Sequence, residues 1–192
     1  MVYRDEALLT EAIADRIGGG GGVSFIVIDG RCGTGKTTLA EKLGRTLGAP
    51  VIHTDDFYLP KEERTPERMK RCGGNIDSER LCRQVLIPLE NGEGCIYRPY
   101  DCGKGTFSDE VEVPESRVYI IEGTYSHMIC PDAAVSVFVT ASQEEQMRRL
   151  ALRESAEKLE AFRNIWIPSE ERYFSLCRVE ASCTYIFDTS DV

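Results

Sequence analysis

The stretch VSFIVIDGRCGTGKT, residues 23–37, decides the fold of this sequence. It begins with VSFIVID, a short apolar run rich in β-branched side chains, which is typical of a strand buried in a parallel sheet. It ends with GRCGTGKT, which fits the pattern G-x-x-x-x-G-K-[ST] in full. The residues that follow, 37–47, have helical apolar spacing, and Gly48 is a typical helix stop. Strand, glycine loop and helix in this order predict a phosphate-binding loop.

The chemistry of the loop explains its composition. Glycines let backbone N–H groups surround phosphate oxygens, and the start of the helix adds partial positive charge. Lys36 can reach the outer phosphates of a nucleotide, and the Thr37 hydroxyl can bind Mg²⁺. The alternative is a glycine turn with a chance lysine. We predict that ATP and Mg²⁺ bind here through the following residues: Gly30, Arg31, Cys32, Gly33, Thr34, Gly35, Lys36, Thr37 and Thr38.

The rest of the chain alternates short apolar strands with amphipathic helices. Strands are predicted at 23–29, 50–58, 117–123, 134–140 and 183–189, and helices at 3–17, 37–47, 77–89, 142–162 and 169–181. Residues 59–76 are predicted as a long loop, residues 95–117 as a small β-hairpin excursion, and the glycines at 18–22 as a flexible connector. This pattern predicts a three-layer α/β fold with a mainly parallel sheet, formed by residues 1–192 as a single domain.

Composition and charge limit the classes of partner. The chain has 192 residues, 42% of them hydrophobic, with 32 acids against 23 bases and a net charge of −9. Nucleic acids and anionic membranes require a basic surface, and no apolar run reaches the roughly 20 residues of a membrane span. The acidic N-terminus does not resemble a secretion signal, so we expect a reducing, cytoplasmic location. The eight cysteines then act as free, packed thiols.

Carboxylates follow two of the predicted strands. Asp55 and Asp56 end the second strand and Glu122 ends a later one, and ligands of parallel sheets bind beyond these carboxyl ends. Asp55 could take a proton from a substrate hydroxyl and, with Glu122, help to hold Mg²⁺. The alternatives are a solvated turn for the aspartates and a capped strand end for Glu122. The sequence has no N-K-x-D motif for recognising guanine, which disfavours a GTP-dependent switch.

Several motifs in one order resemble a known family. They are GRCGTGKT, then TDDFY at 54–58, NID at 75–77, YRPYD at 97–101, EG at 122–123 and an arginine-rich helix. Together they resemble the uridine kinase family of P-loop kinases, close to phosphoribulokinase and the bacterial pantothenate kinases. The resemblance implies a P-loop NTPase fold of the nucleoside/nucleotide kinase type, with a helical lid at 142–165.

The resemblance also implies roles for individual residues. Asp55 would be the catalytic aspartate, acting with Lys36, and Glu122 the acidic residue of the Walker B-like strand. The substrate would be bound by Tyr58, Asp77, Tyr100 and Asp101. The lid arginines, among them Arg149 and Arg153, would close over ATP. From the residues alone, Tyr58 could equally be core packing.

Arg149 and Arg153 lie four residues apart, so they share one helical face and could bind phosphate oxygens. A solvated charged surface is the alternative. The sequence departs from the family in two places. The spacing of the lid arginines is longer by one residue, and the histidine that follows YRPYD in the family is missing, since residues 102–106 are CGKGT.

The expected function is transfer of phosphate from ATP to the 5′-hydroxyl of uridine or cytidine. Three alternatives remain open at this point. The acceptor could be another alcohol such as pantothenate, nicotinamide riboside or a sugar phosphate. The chain could be a nucleotide-dependent ATPase or regulator, or a structural nucleotide-binding module. The expected partner is a small molecule, and a homo-oligomer is also allowed.

Overall fold

A computed structural model describes residues 1–18 and 22–191. In chain order the strands are β1 (Val2–Tyr3), β2 (Ser24–Gly30), β3 (Val51–His53), β4 (Cys95–Tyr97), β5 (Tyr100–Asp101), β6 (Thr106–Phe107), β7 (Val111–Val113), β8 (Val118–Glu122), β9 (Val135–Thr140) and β10 (Tyr185–Asp188). Six of them form one sheet in the order β1-β10-β9-β2-β8-β3. Every pairing in this sheet is parallel, as the sequence predicts.

Helices connect these strands. They are α1 (Glu6–Ile17), α2 (Lys36–Leu47), α3 (Pro66–Met69), α4 (Ser78–Leu81), α5 (Ile87–Glu90), α6 (Ser126–Ile129), α7 (Gln143–Arg153), α8 (Ala156–Ala161), α9 (Ile167–Leu176) and α10 (Val179–Ser182). Two π-helical turns, Cys82–Leu86 and Phe162–Trp166, join α4 to α5 and α8 to α9. Short 3-10 turns occupy Thr54–Phe57 and Lys61–Glu63.

The sheet is covered on both faces, which confirms the three-layer prediction. Successive residues of β2 point to opposite sides, so Ile26 and Ile28 join one hydrophobic core and Phe25 and Val27 join the other. The first core includes residues of α1 and α2, and the second includes residues of α9. No helix of residues 1–18 and 22–191 is long and apolar enough to cross a lipid bilayer.

The β-hairpin excursion is present as predicted. Strands β4 and β7 pair antiparallel, and β5 and β6 form a second, inner antiparallel pair between them. The segment predicted as a long loop at 59–76 includes α3, which begins with Pro66 behind the capping side chain of Thr65. Proline is favoured in the first turn of a helix because its missing N–H has no partner there.

The predicted lid helix at 142–162 is wrong as one continuous helix. Helix α7 ends at Arg153, Glu154 adopts an extended conformation, and Ser155 caps α8 by accepting a hydrogen bond from the backbone N–H of Lys158. From α8 the chain stays helical to Leu176, so the segment predicted as a lid consists of two helices joined at Glu154 and Ser155. A serine with an extended residue before it starts a new helix more readily than it continues an old one.

The N-terminal helix is confirmed from Glu6 onward, with Asp5 accepting hydrogen bonds from the N–H groups of Ala7 and Leu8. Strand β1 before it was not predicted, because two residues carry no readable alternation. Of the predicted glycine connector at 18–22, residues 19–21 lie outside the described residues.

Candidate active site

The phosphate loop leaves β2 at the carboxyl edge of the sheet. Gly30, Gly33 and Gly35 all have positive φ angles, of 138°, 72° and 91°, which glycine adopts without strain. A Cβ atom at Gly30 would also overlap the carbonyl oxygen of Val139 on the neighbouring strand. Helix α2 starts at Lys36, so its first N–H groups face the loop. The geometry is that of an anion-binding loop.

Lys36 and Thr37 face the inside of this loop. The Lys36 ammonium donates to the carbonyl oxygen of Arg31 at 2.9 Å. The Thr37 hydroxyl donates to Oε1 of Glu122 at 3.0 Å, which joins α2 to the end of β8. A positive charge and a hydroxyl therefore lie side by side beneath the loop.

Glu122 is the centre of a candidate magnesium site. Its Oε1 also lies 2.9 Å from Nδ1 of His53, while its Oε2 is buried and has no hydrogen-bond partner among the described residues. The hydrogen bond to Glu122 raises the pKa of His53. A buried carboxylate oxygen with no partner beside a hydroxyl fits Mg²⁺, which prefers oxygen ligands.

The magnesium site has too few protein ligands, among the residues that the structure describes, to hold a metal ion by itself. In the described ranges there is no cluster of three or more His, Cys, Asp or Glu side chains suited to hold one. Mg²⁺ usually keeps several waters and binds one or two carboxylates together with substrate phosphates. Thr37, Asp55 and Glu122 fit this kind of site and would hold Mg²⁺ only together with a nucleotide.

Asp55 lies directly after β3, in the 3-10 turn Thr54–Phe57. Burial raises its pKa, and the negative charge of Glu122 raises it further. Its carboxylate interacts with the hydroxyl of Tyr58, whose own pKa is raised by burial and by Asp55. A carboxyl group with a raised pKa in a cleft is the expected state of a general base.

Three adjoining cavities surround the loop. The middle one is lined by Lys36, Thr37, Asp55 and Glu122 together with loop residues. A smaller, largely aromatic cavity shares Asp55, Tyr58, Thr124 and Glu170 with it. A larger cavity on the other side shares Gly33, Gly35, Thr38 and Arg153 with it. The phosphate loop thus lies between two separate binding spaces, with Asp55 at the boundary of the smaller one.

The lid arginines differ in what they contact. Arg149 and Arg153 both line the larger cavity, and Arg153 also lines the middle one. Arg149 donates to Oε1 of Glu145 at 2.6 Å and to the carbonyl oxygen of Thr189 at 2.6 Å. Arg148 is exposed and is paired with Glu145 at 2.7 Å. The face predicted to hold Arg149 and Arg153 is therefore directed toward the cavities.

Glu170 is a candidate site residue that the sequence motifs did not predict. It lies in α9, it is buried, and its carboxylate accepts a hydrogen bond of 3.0 Å from the backbone N–H of Cys32 in the phosphate loop. Burial raises its pKa. The sequence signal was only a glutamate in an aromatic-rich helix, because the contact joins residues 138 positions apart.

Two loop side chains are engaged by residues outside the loop. Arg31 pairs with Glu171 at 2.6 Å, and its guanidinium lies over the rings of Phe138 and Phe174. The Cys32 thiol is buried against Gln146, and its pKa is raised to about 12 mainly by burial. The roles predicted for these residues would therefore depend on their backbone N–H groups.

Three predicted substrate residues make local structural contacts. Asp77 caps α4 and is 3.4 Å from the buried guanidinium of Arg80. Asp101 accepts hydrogen bonds from the N–H groups of the turn after β5, and Tyr100 packs on Phe107. None of them lines the cavities around the phosphate loop. Their binding roles stay predictions.

Comparison with known families gives one match over most of the chain. Residues 26–167 match the protein family described as AAA domain. The match includes the phosphate loop, Asp55, Glu122 and the lid arginines.

Curated relatives and solved structures are more distant. A cytidylate kinase of Caldanaerobacter subterraneus is 28% identical over 150 residues, which cover 65% of this chain and 65% of that protein. A cytidylate kinase of Pyrobaculum aerophilum is 26% identical over 167 residues, covering 85% of this chain and 80% of that protein. This chain thus spans less than two thirds of the length of the first relative.

A solved structure described as a "Possible Uridine Kinase" from Bacillus stearothermophilus superposes with a TM-score of 0.68 at 22% identity. It covers 92% of this chain and 100% of that one. At this identity the likeness concerns the fold, and it confirms the predicted P-loop kinase fold.

Proposed function

This chain belongs to the AAA domain family, and from that premise we propose that it transfers the γ-phosphoryl group of ATP to a hydroxyl group of a small molecule. One observation carries the proposal. The carboxylate of Asp55 lies where the cavity of the phosphate loop meets the smaller aromatic cavity. A hydroxyl bound in the smaller cavity would meet the outermost phosphate at this carboxylate.

Each residue has a definite role in the proposed step. The acceptor's hydroxyl oxygen attacks the γ-phosphorus, the bond to the β–γ bridging oxygen breaks, and ADP leaves. Asp55 accepts the hydroxyl proton. Lys36 and the N–H groups of the loop stabilise the negative charge on the phosphate oxygens throughout the transfer.

Other groups assemble and enclose the site. Thr37, Glu122 and Asp55 would hold Mg²⁺, which supplies positive charge next to the phosphates when it is bound. Arg153 faces the phosphate cavity from the lid, and closure of the lid excludes water that would otherwise accept the phosphate. Glu170 ties the last helix of the lid to the loop.

The first candidate acceptor is uridine or cytidine, as the sequence resemblance implies. The smaller cavity supports it, because Tyr58, Tyr125, Phe162 and Trp166 offer rings to a flat base. The relatives described as cytidylate kinases also favour a pyrimidine compound.

The second candidate is an alcohol with an anionic group, such as a sugar phosphate or pantothenate. One observation favours it. The smaller cavity shares Asn75, Tyr125 and Trp166 with a neighbouring cavity that is lined by Arg71 and Arg172. Neither arginine has an ion-pair partner within the described part of the chain. An acceptor whose anionic group binds at these arginines could extend through the shared lining residues to place its hydroxyl at the Asp55 carboxylate.

An acceptor panel with Mg²⁺ and ATP tests the proposal. The panel contains uridine, cytidine, cytidine monophosphate, pantothenate, nicotinamide riboside and a sugar phosphate, and the product is identified by mass. Formation of one phosphate ester that disappears with Lys36→Ala is the expected result. ATP hydrolysis that no acceptor changes would favour an ATPase or regulator instead.

The two acceptor candidates are separated by a matched pair of variants. Arg172→Ala should raise KM only for an acceptor with an anionic group. Arg117→Ala, on the loop before β8, is the control and should leave KM unchanged for both kinds of acceptor. Turnover of uridine that is insensitive to Arg172→Ala would eliminate the second candidate.

A further inference from the structure

We infer that residues 4–7, which precede the core of the fold in sequence, form the outer wall of the site for the nucleoside of the donor nucleotide. The inference rests on the proposed function, because it takes the triphosphate to lie in the phosphate loop. It assigns a binding role to a segment that the phosphate-loop motif and the matched family region do not include.

The position of the larger cavity carries the first step. It adjoins the phosphate cavity through Gly33, Gly35 and Thr38, on the side away from Asp55. A triphosphate in the loop has its γ-phosphate at Asp55, so the nucleoside, which is attached to the α-phosphate, must lie in this larger cavity. The cavity has a volume of about 770 Å³, which is within the usual range for small-molecule sites.

The lining of the cavity carries the second step. Leu39 and Phe187 provide apolar surface, and Arg149 and Arg153 provide guanidinium groups from the lid. The remaining wall comes from the N-terminal segment, in which Arg4, Asp5, Glu6 and Ala7 all line the cavity. Apolar surface together with planar guanidinium groups is suited to a flat heterocyclic base.

The N-terminal segment is attached firmly enough to serve as a wall. Strand β1 pairs with β10, and Arg4 donates to Asp188 of the same strand at 2.9 Å. Glu6 is paired with Lys42 of α2 at 2.7 Å. Behind the segment, Leu9 and Ile13 of α1 are fully buried in the core. The wall is therefore held from the sheet, from α2 and from the core at once.

Ala7 offers the sharpest test, because it is a small, exposed residue that lines the cavity. A larger side chain there would occupy the space of the nucleoside without removing an existing contact. Leu8 is the matched control, since it is exposed, adjacent on the same helical turn and does not line the cavity.

The experiment measures binding of ATP and of inorganic tripolyphosphate to full-length Ala7→Phe and Leu8→Phe by calorimetry. We expect Ala7→Phe to weaken ATP binding about tenfold or more while tripolyphosphate binding stays unchanged. Leu8→Phe should change neither. Lys36→Ala, in contrast, should weaken both ligands, because it acts on the phosphates.

Two results would overturn the inference: ATP binding by Ala7→Phe equal to that of the parent protein, or equal losses for ATP and tripolyphosphate. If Ala7→Phe does not fold, Arg4→Ala replaces it with the same expected selectivity for ATP. The proposed function fails separately, since it requires phosphoryl transfer and a loss with Lys36→Ala. If Lys36→Ala weakens binding of both ligands as expected but Ala7→Phe does not weaken ATP binding, only this inference is rejected and the proposed function stands.

Discussion

Two neighbouring aspartates show how one turn separates a chemical role from a structural one. The Asp55 carboxylate faces the phosphate cavity beside Tyr58. The Asp56 carboxylate points the other way and accepts a hydrogen bond of 2.8 Å from the hydroxyl of Tyr97, at the base of the excursion. Adjacent residues of a 3-10 turn project about 120° apart, so only one of them can face the nucleotide.

The aspartate pair yields the first prediction. Asp55→Asn should lower kcat by a factor of roughly 10² to 10⁴, because the amide cannot accept the hydroxyl proton. ATP binding should persist, since Lys36 and the loop remain. Asp56→Asn is the control, because an amide oxygen can still accept from Tyr97 and catalysis should continue. Steady-state kinetics and nucleotide titration measure both effects, and equal losses in the two variants would refute the assignment.

The second prediction concerns the pH dependence of the reaction. A base must be deprotonated to act, and burial together with Glu122 raises the pKa of Asp55 above its ordinary value. Activity should therefore be lost as the pH falls through this raised pKa, at a higher pH than an exposed aspartate would give. Glu122→Gln removes a negative charge, so the acid limb of kcat/KM should move to lower pH whatever the remaining rate. An unchanged limb would show that Asp55 is not the titrating group.

Among single residues, the sequence predicted those that belong to local motifs and missed those that tertiary contacts bring to the site. Lys36, Thr37 and Asp55 follow directly from motifs at the ends of strands, and the structure brings them to one cavity. Glu170 and His53 reach the same place from helix α9 and strand β3. Their contribution depends on the register of the sheet and on how the last helix docks, which no spacing along the chain encodes.

Among the elements, the lid has the most distinctive construction. Helix α7 stops at Arg153, and the following helix returns across the site to place Glu170 on the loop and Trp166 in the smaller cavity. The segment thus lines the larger cavity with Arg149 and Arg153 and the smaller cavity with Phe162 and Trp166. Movement of this element would open both sides together.

The third prediction separates the lid arginines. Arg153→Ala should raise KM for ATP about tenfold, because its side chain faces both the phosphate cavity and the larger cavity. Arg148→Ala should leave KM unchanged, since Arg148 is exposed and lines neither cavity. Initial rates over a range of ATP concentrations decide the matter. Similar effects of both variants would mean that the lid acts through its net charge instead.

Helices and strands with strong apolar periodicity were predicted well. Local features that depend on single residues, such as the π-helical turns, were not predicted. The strands β2, β8 and β9 and the helix α2 follow from apolar spacing alone. The π-helical turns lie just before Pro88 and Pro168. Proline lacks an N–H and its ring clashes with the carbonyl four residues earlier, so the helix widens there rather than ending. This outcome depends on tertiary packing that holds both halves in line.

For the molecule as a whole, a buried aspartate at the end of β2 joins the sheet to the lid. Asp29 is fully buried and accepts hydrogen bonds from the N–H groups of Gly30 and His127 and from the hydroxyl of Tyr173. Tyr173 lies in α9, one turn from Glu170. The phosphate loop therefore leaves the sheet at a point where α9 is hydrogen-bonded both to the loop and to the strand before it, so the loop, β2 and α9 are coupled.

The last prediction tests this coupling through the free energy of unfolding. Burial raises the pKa of Asp29, and the Tyr173 hydroxyl opposes that rise by donating to the carboxylate. Because the folded pKa is raised, the protonated carboxyl favours the folded state, and this stability is lost as the pH rises through that pKa. Tyr173→Phe removes a donor to the ionised form and should lower the free energy of unfolding by about 1–3 kcal/mol above that pKa.

Below the folded pKa of Asp29 the loss should be smaller, since a neutral carboxyl depends less on the donor. Tyr185→Phe is the matched control, because the Tyr185 hydroxyl donates to the uncharged carbonyl of Ala12 at 3.2 Å. Its loss should be the same at every pH. Urea unfolding of both variants at several pH values measures the difference. A pH-independent loss for Tyr173→Phe would contradict the prediction, because it would show that the Tyr173 hydroxyl does not act through the charge of Asp29.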